Sequence, residues 1–296
     1  MNFYGQERQA FKANLHTHTT NSDGKYSPEE IIQLYSSAGY QVLAFTDHRV
    51  SNPVSVYDGK GMTLLSGMEI HPMGPRGILW HLLALGTPED FRNNPDWSGT
   101  DAAAAIQAAG GLFFTAHPYW CGFTSAEIMS LPGSLGIEVY NTSTRYIGKA
   151  YNMQLWDECL DHNARYFALA VDDVHGTRDL FKGFTMICAE NASPQALLKA
   201  LKEGSFYASQ GPQFQSISLE NKNFSAEFDP CEEVILLSNS ASGVLGATID
   251  EEGPGSEPKT CQRFQCDLSS YPAGSYVRCQ IKDSEGKYAW SNPFFL

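Results

Sequence analysis

Between residues 11 and 210 the chain alternates short apolar runs with helical segments, and this alternation limits the possible fold more than any other sequence feature. Strands that each lead into a helix normally pair in parallel, with the helices as crossover connections. The pattern therefore predicts an α/β fold, either a barrel or a doubly wound sheet. The predicted strands are 11–16, 42–45, 63–70, 78–85, 112–116, 136–140, 165–171 and 185–189.

The helical segments carry start and stop signals. Ser27-Pro28-Glu29-Glu30 combines an N-cap serine, a proline at the first helical position and acidic residues in the first turn, and Gly39 ends the pattern. Further helices are predicted at 101–109, 150–163 and 194–202.

The pattern changes after about residue 212, where short β-like runs follow one another without a helical period. We therefore expect two domains, an α/β domain over residues 1–211 and a small all-β domain over residues 212–296. The predicted strands of the second domain are 214–219, 234–237, 263–268 and 276–282, and Gly253-Pro254-Gly255 predicts a turn between them.

Composition and charge limit the cellular location and the partners that we expect. Met1 to Ala10 is polar and lacks the apolar segment of a signal peptide, and no run approaches about 18 apolar residues. The seven cysteines form no CxxC pair, which favours reduced thiols. We predict a cytoplasmic protein with no membrane association. The net charge of -13 argues against long nucleic acid as a partner; no feature indicates an oligomeric state.

Histidines and carboxylates cluster at the ends of predicted strands. His16-Thr17-His18 follows the first strand, and alternate residues of a strand face the same side, so both imidazoles can enter one cavity. Thr46-Asp47-His48 and Asp173-Val174-His175 repeat this arrangement after two other strands. In α/β barrels the strand C-termini carry the active site. The candidate metal ligands are His16, His18, Asp23, His48, Glu69, His81, His117, Asp173 and His175.

A mixed set of imidazole and carboxylate donors suits Mn, Fe or Zn, and we expect two or three divalent ions. Asp173 is preferred to Asp172 because of its D-x-H relation to His175. His71 is predicted to be a structural or rim residue. His162 lies at a predicted helix C-terminus, where an imidazolium interacts favourably with the helix dipole, and is predicted to be structural.

As an ordered set, these motifs resemble the PHP family (polymerase and histidinol phosphatase domains) over about residues 11–210. The motifs that carry the resemblance are His16-Thr17-His18, Ser22-Asp23-Gly24, Thr46-Asp47-His48, Glu69, His117-Pro118, Gly136–Asn141 and Asp173-Val174-His175. Two further segments, Phe206–Pro212 and Lys287–Pro293, are similar to stand-alone PHP phosphoesterases that carry a C-terminal β region.

The resemblance implies a distorted (β/α)7 barrel with a trinuclear metal site at the strand C-termini. The implied ligands are His16, His18, Glu69 and Asp173 for the first metal, Glu69, His81 and His117 for the second, and Asp23, His48 and His175 for the third. Asp47 would orient a ligand from behind. The chain departs from some relatives in lacking a long insertion between His81 and His117, and in having Asp23 where other branches have histidine.

The predicted function is metal-dependent hydrolysis of a phosphomonoester, with a small phosphorylated metabolite or nucleotide as substrate. The resemblance and general metal chemistry suggest a hydroxide that bridges the first two metals as nucleophile. Glu69, Asp173 and His175 would be catalytic. Candidate phosphate-binding residues are Arg49, Arg145 and Arg178.

Three alternatives remain open on the sequence. One is a phosphodiesterase or exonuclease that acts on short oligonucleotides. Another is a non-catalytic binding module that the metals merely stabilise. The third is an amidohydrolase-type hydrolase of C–N bonds, although such sites commonly use a bridging lysine, and here Glu69 holds that place.

Overall fold

The structure is a computed structural model that describes residues 2–247 and 260–296; the predicted turn at Gly253-Pro254-Gly255 lies outside them. The helices are α1 (Pro28–Ser37), α2 (Gly99–Ala108), α3 (Pro118–Cys121), α4 (Ser125–Met129), α5 (Met153–Asp161) and α6 (Pro194–Glu203). The strands up to residue 209 are β1 (Asn2–Phe3), β2 (Gln6–Glu7), β3 (Gln9–Asn14), β4 (Val42–Ala44), β5 (Thr63–Leu65), β6 (Gly67–Ile70), β7 (Leu82–Leu85), β8 (Leu112–Thr115), β9 (Gly136–Asn141), β10 (Phe167–Val171), β11 (Phe184–Ala189) and β12 (Phe206–Ser209). The later strands are β13 (Phe214–Glu220), β14 (Asn223–Cys231), β15 (Glu233–Ser238), β16 (Gly243–Ala247), β17 (Cys261–Asp267), β18 (Tyr276–Lys282), β19 (Tyr288–Ser291) and β20 (Phe294–Phe295).

Helix α1 lies where the local sequence signals predicted a helix. The Ser27 hydroxyl accepts a hydrogen bond from the Glu30 backbone N–H (3.2 Å), and the Glu30 carboxylate accepts one from the Ser27 N–H (2.8 Å). This reciprocal capping satisfies two backbone donors at the helix start. Ile31, Ile32 and Tyr35 then form the buried face of the helix.

The fold is mixed α/β, as predicted, but the predicted (β/α)7 barrel is not confirmed. The strands of the described residues divide among three sheets and close no barrel. One five-stranded sheet has the order β10-β9-β8-β7-β6, and a ten-stranded sheet contains β12-β11-β3-β4-β5. Several pairs are antiparallel, among them β6 with β7, β7 with β8 and β11 with β3, whereas the alternating pattern predicted parallel neighbours.

The two α/β sheets approach each other at the ends of their strands. β5 and β6 were predicted as one strand, but the chain changes sheet at Ser66 between them. Two isolated parallel bridges then connect the sheets, Thr17 with Val174 and His48 with Glu69. The residues that join the sheets therefore lie within or directly beside the predicted metal-binding motifs.

The later strands are hydrogen-bonded to the earlier ones. β19 pairs antiparallel with β12, and β1 pairs in parallel with β13. Asn292, just after β19, is buried; its side chain accepts a hydrogen bond from the Ala168 N–H (2.9 Å) and donates to the carbonyls of Gly204 and Phe206 (3.0 Å each). The domain boundary at residues 211–212 stays a prediction. Backbone hydrogen bonds join strands from before and after it, β12 to β19 and β1 to β13.

Two further sequence expectations concern cysteines and membrane spans. All seven cysteines are free thiols, as expected from their spacing. Within residues 2–247 and 260–296, no helix has the length and apolar character that a membrane crossing requires.

A buried ion pair fastens β18 to α5, and its loss should destabilise the protein. Arg278 is 1% exposed and donates two hydrogen bonds of 2.6 Å to Asp157. Because Asp157→Asn leaves a buried cation without its anion, we expect the free energy of unfolding in urea to fall by about 3 kcal/mol. The matched control Glu227→Gln breaks the exposed pair with Arg263 and should cost less than about 1 kcal/mol. Equal losses for both variants would contradict the assignment.

Glu127, in the first turn of α4, should make the free energy of unfolding depend on pH in the acid range. Hydrogen bonds from Arg76, together with those from Thr124, lower the pKa of Glu127 to about 2. A depressed carboxyl pKa contributes stability above the ordinary value near 4.5, and this contribution is lost as the pH falls towards 2. We expect Glu127→Gln to lower the urea midpoint at pH 7, with the difference vanishing near pH 2. The same pH dependence should disappear in Arg76→Met; its persistence there would contradict this origin.

Candidate metal centre

All nine predicted ligands converge on one site, with the fully buried Glu69 at its centre. On one side of the carboxylate, Oε1 lies 2.7 Å from His81 Nδ1 and 3.1 Å from His117 Nε2. On the other side, four histidine nitrogens lie within 3.6 Å of Oε2, those of His48 at 2.6 Å, His71 at 3.3 Å, His18 at 3.5 Å and His16 at 3.6 Å. Glu69 thus has imidazoles facing both of its oxygens.

Asp173 closes the inner part of the site opposite Glu69. Its Oδ1 lies 3.0 Å from His18 Nε2 and 3.3 Å from His16 Nε2. Its Oδ2 accepts a hydrogen bond from the Asn141 amide (3.1 Å). Asp172 is directed elsewhere, since it accepts hydrogen bonds from the backbone of residues 181–183 and from Tyr35. The preference for Asp173 over Asp172 therefore agrees with the geometry.

A third group of donors lies nearer the solvent. Asp23 Oδ2 is 3.5 Å from His48 Nε2, and Asp23 Oδ1 is 3.4 Å from His175 Nε2. His175 Nδ1 lies 2.9 Å from the Asp173 carbonyl oxygen. If that nitrogen carries the proton, Nε2 is left with a free lone pair that faces Asp23.

Strand ends position these side chains, by two different routes. His16, His48, His117 and Asp173 follow the C-terminal ends of β3, β4, β8 and β10. His81 precedes β7, and reaches the same place because β7 runs antiparallel to β6. His117 and Asp173 have positive φ angles of 26° and 49°. Such backbone conformations cost about 1–3 kcal/mol in non-glycine residues and are concentrated at functional sites.

Glu138, which the sequence analysis did not assign, holds two of the ligands in place. It is fully buried in β9, and its Oε1 lies 2.6 Å from His16 Nδ1. Its Oε2 accepts a hydrogen bond from the His117 backbone N–H (2.8 Å). A carboxylate behind a metal-binding histidine fixes the ring and its tautomer. The available signal was a lone carboxylate in a strand that is otherwise apolar, because a buried charge requires a partner.

Asp47 lies behind the site, beside the loop that carries Asp23. Its carboxylate accepts hydrogen bonds from the Thr19 backbone N–H (2.8 Å), the Ser22 hydroxyl (2.6 Å) and the Asn52 amide (2.7 Å). These contacts fix the loop that carries Asp23. Asp47 therefore positions a carboxylate through the backbone instead of contacting a histidine ring.

The electrostatics favour charged carboxylates. Burial alone would raise the pKa of Glu69, but the facing imidazoles of His81 and His16 outweigh it and hold this pKa well below its usual range. The pKa of Asp173 is likewise well below its usual range, because His16 and His18 outweigh the effect of burial. Both groups are anionic at neutral pH, which is the form that binds cations.

The imidazoles divide into two classes. Burial lowers the pKa of His81 to about 4 and also lowers that of His18, so both rings are neutral near pH 7. For His16, burial also acts to lower the pKa, but Asp173 and Glu138 reverse the shift and raise it well above the usual value. A cation in the site would replace the proton that compensates these carboxylates.

Two buried carboxylate oxygens indicate that the donor set is suited to a metal ion. Glu69 Oε2 and Asp173 Oδ1 are buried and accept no hydrogen bond of regular geometry, although histidine nitrogens lie 2.6 and 3.0 Å from them. An unsatisfied buried carboxylate oxygen is costly unless a cation or proton compensates it. Together with the imidazoles around them, these oxygens form a donor set that fits divalent ions such as Mn, Fe or Zn.

A cleft of about 490 Å³ opens onto the site. Its lining includes His175, Trp120, Tyr146 and Arg178, and the Trp120 ring lies 5.2 Å from the ring centres of His81 and His117. Of the three predicted phosphate-binding arginines, Arg178 lines the cleft. Arg145 packs on the Tyr146 ring and donates to the Arg178 carbonyl oxygen, and Arg49 is exposed outside the lining.

The family model of the PHP domain matches residues 14–110. The resemblance noted from the sequence motifs is thereby confirmed over the matched residues. They include six of the nine predicted ligands, and the remaining three, His117, Asp173 and His175, follow the match.

Solved structures resemble the chain in fold. A two-domain protein from Bacteroides vulgatus, described as containing a predicted PHP-like metal-dependent phosphoesterase, is 16% identical, with a TM-score of 0.55 over 99% of this chain and 97% of that one. A lesion-specific endonuclease from Pyrococcus furiosus is 14% identical, with a TM-score of 0.49 over 66% of this chain and 56% of that one. An amidohydrolase from Chromobacterium violaceum is 18% identical, with a TM-score of 0.45 over 55% and 87%. A search of the curated proteins finds no match.

Metal content should follow from this donor set. We expect two or three equivalents of Mn, Fe or Zn per chain, by elemental analysis of protein purified without chelator or affinity metal. Glu69→Gln should lose at least one equivalent, because it removes the carboxylate shared by the two inner groups of histidines. The exposed control Asp58→Asn should keep the wild-type content. Less than about half an equivalent in the wild type after incubation with Mn would contradict the donor assignment.

Proposed function

We propose that this protein is a metal-dependent phosphomonoesterase for a small phosphorylated metabolite or nucleotide. The observation that carries the proposal is the pair of buried carboxylate oxygens on Glu69 and Asp173, surrounded by imidazoles beneath an open cleft. The PHP domain match and the fold agree with this chemistry.

The proposed site is trinuclear and uses the chain's own donors. The first metal would be held by His16, His18, Glu69 and Asp173; the second by Glu69, His81 and His117; the third by Asp23, His48 and His175. Divalent ions in such a site lower the pKa of bound water towards about 7 and neutralise phosphate charge.

The protein residues would bind and orient the substrate. The Arg178 side chain is 72% exposed beside the cleft, and its guanidinium lies 4.0 Å from the Tyr146 ring centre, which holds it ready for a phosphate oxygen. Trp120 packs edge-on against His81 and His117, with 5.2 Å between ring centres, and lines the cleft beside them. We keep Glu69, Asp173 and His175 as the proposed catalytic residues, and Arg49 and Arg145 as weaker candidates for phosphate binding.

The proposal extends to the barrel fold, the two domains and the cellular location. We propose that residues 1–211 are an opened form of the distorted (β/α)7 barrel and that residues 212–296 are its C-terminal β domain. A cytoplasmic location is supported by the seven free thiols, which reducing compartments maintain.

Replacing Asp173 should remove hydrolysis without unfolding the protein. Asp173→Asn keeps the size and the hydrogen bond from Asn141 but removes the charge, so we expect the rate of phosphate release to fall by about 10²-fold or more. The assay is a panel of a sugar phosphate, a nucleoside monophosphate and a dinucleotide, with circular dichroism to verify the fold. His16→Ala should behave alike, and Asp58→Asn should match the wild type.

Two outcomes would overturn the proposal. Wild-type turnover in Asp173→Asn with unchanged metal content would defeat the site assignment. Cleavage of the dinucleotide alone would replace the monoesterase with a diesterase.

A further inference from the structure

His71 lies inside the metal centre, although it belongs to none of the implied ligand sets. It follows β6, and its side chain is 8% exposed. Its ring stacks on His81 with 3.8 Å between ring centres and 13° between planes. On its other side, His48 packs at 4.6 Å and 67°. His71 thus separates a histidine of the proposed second metal from one of the proposed third.

His48 uses its two nitrogens on opposite sides. Nε2 faces Asp23 at 3.5 Å, within the solvent-side group of donors. Nδ1 faces inward and lies 2.6 Å from Glu69 Oε2 and 2.9 Å from His71 Nε2. A histidine that binds a metal through one nitrogen normally donates the N–H of the other nitrogen to an acceptor, which fixes the ring.

Two acceptors are available for that N–H, and they are not equivalent. Glu69 Oε2 is also faced by His16 and His18, so a cation bound by these inner donors would draw on the same oxygen. His71 Nε2 also lies 3.3 Å from Glu69 Oε2, but it belongs to none of the implied ligand sets, so a cation that engages this oxygen leaves Nε2 free to accept from His48. It is therefore the acceptor that remains once Glu69 is engaged.

We propose that His71 is a positioning residue of the third metal site, where its Nε2 accepts the hydrogen bond from His48 Nδ1–H and its ring braces His81. This inference rests on the proposed trinuclear function. It assigns His71 neither to the ligands nor to the rim. Removal of a partner behind a metal-binding histidine typically lowers metal affinity 10–100-fold.

The two contacts of His71 can be separated by substitution. His71→Phe keeps a flat ring to stack on His81 but removes the acceptor. His71→Gln removes the ring but offers an amide oxygen near the position of Nε2. The matched control is His162→Phe, which replaces a histidine at the C-cap of α5, remote from the nine donors in sequence.

The experiment is a titration of chelator-stripped full-length protein with Co²⁺, followed by visible absorbance and by elemental analysis after desalting. We expect three equivalents in the wild type and in His162→Phe. In His71→Phe the first two equivalents should bind as in the wild type, and the third should bind 10–100-fold more weakly. His71→Gln should recover the third equivalent to within about threefold of the wild-type affinity. Circular dichroism melting of the stripped proteins verifies their folds.

Each other outcome has a defined meaning. Binding of the third equivalent to folded His71→Phe within twofold of the wild type overturns the inference. Equal loss in His71→Phe and His71→Gln also overturns the proposed hydrogen bond, as does a wild type that binds only two ions. If His71→Phe does not fold, His71→Gln decides the matter, since its failure to bind a third ion would refute an acceptor role. A wild type that binds no ion overturns the proposed function as well.

Discussion

A single buried carboxylate organises the centre of this protein. Glu69 is removed from water, and six imidazoles have a nitrogen within 3.6 Å of its carboxylate oxygens. A charge in such surroundings is tolerated only when cations or protons compensate it. The same side chain sits in β6, where the isolated bridge to His48 connects two sheets. The arrangement of strands and the arrangement of donors therefore depend on the same residue.

Much of the site could be predicted from sequence because its donors follow strand ends. HxH and DxH spacings place two side chains on one face, and this geometry holds whichever strands become neighbours. The nine residues consequently come together although the predicted barrel does not close. His71 was predicted to be a structural or rim residue, and its side chain is 8% exposed, with Nε2 3.3 Å from Glu69 Oε2.

Strand direction and supporting residues were harder to predict. The turn between Met73 and Leu79 folds the chain back on itself, which makes β7 antiparallel, whereas the alternating pattern predicted parallel neighbours. Pairing direction depends on the path of the connection, which apolar periodicity does not encode. Glu138 was missed for a related reason. Its role depends on a contact with His16 across 122 positions of sequence, and only its isolation in an apolar strand marked it.

The pairing of β19 with β12 has a consequence for how the protein is made. β19 lies inside the sheet that contains β3 and β4, where it joins β12 to β18, and Asn292 donates a hydrogen bond to the Phe206 carbonyl oxygen of β12. A ribosome adds about 5–20 residues per second, so the first motif emerges many seconds before the strand that finishes its sheet. During that interval the early histidines belong to an incomplete sheet with an open edge. Until β19 has been synthesised, the open sheet edge of a nascent chain would therefore stay unprotected unless a chaperone covers it.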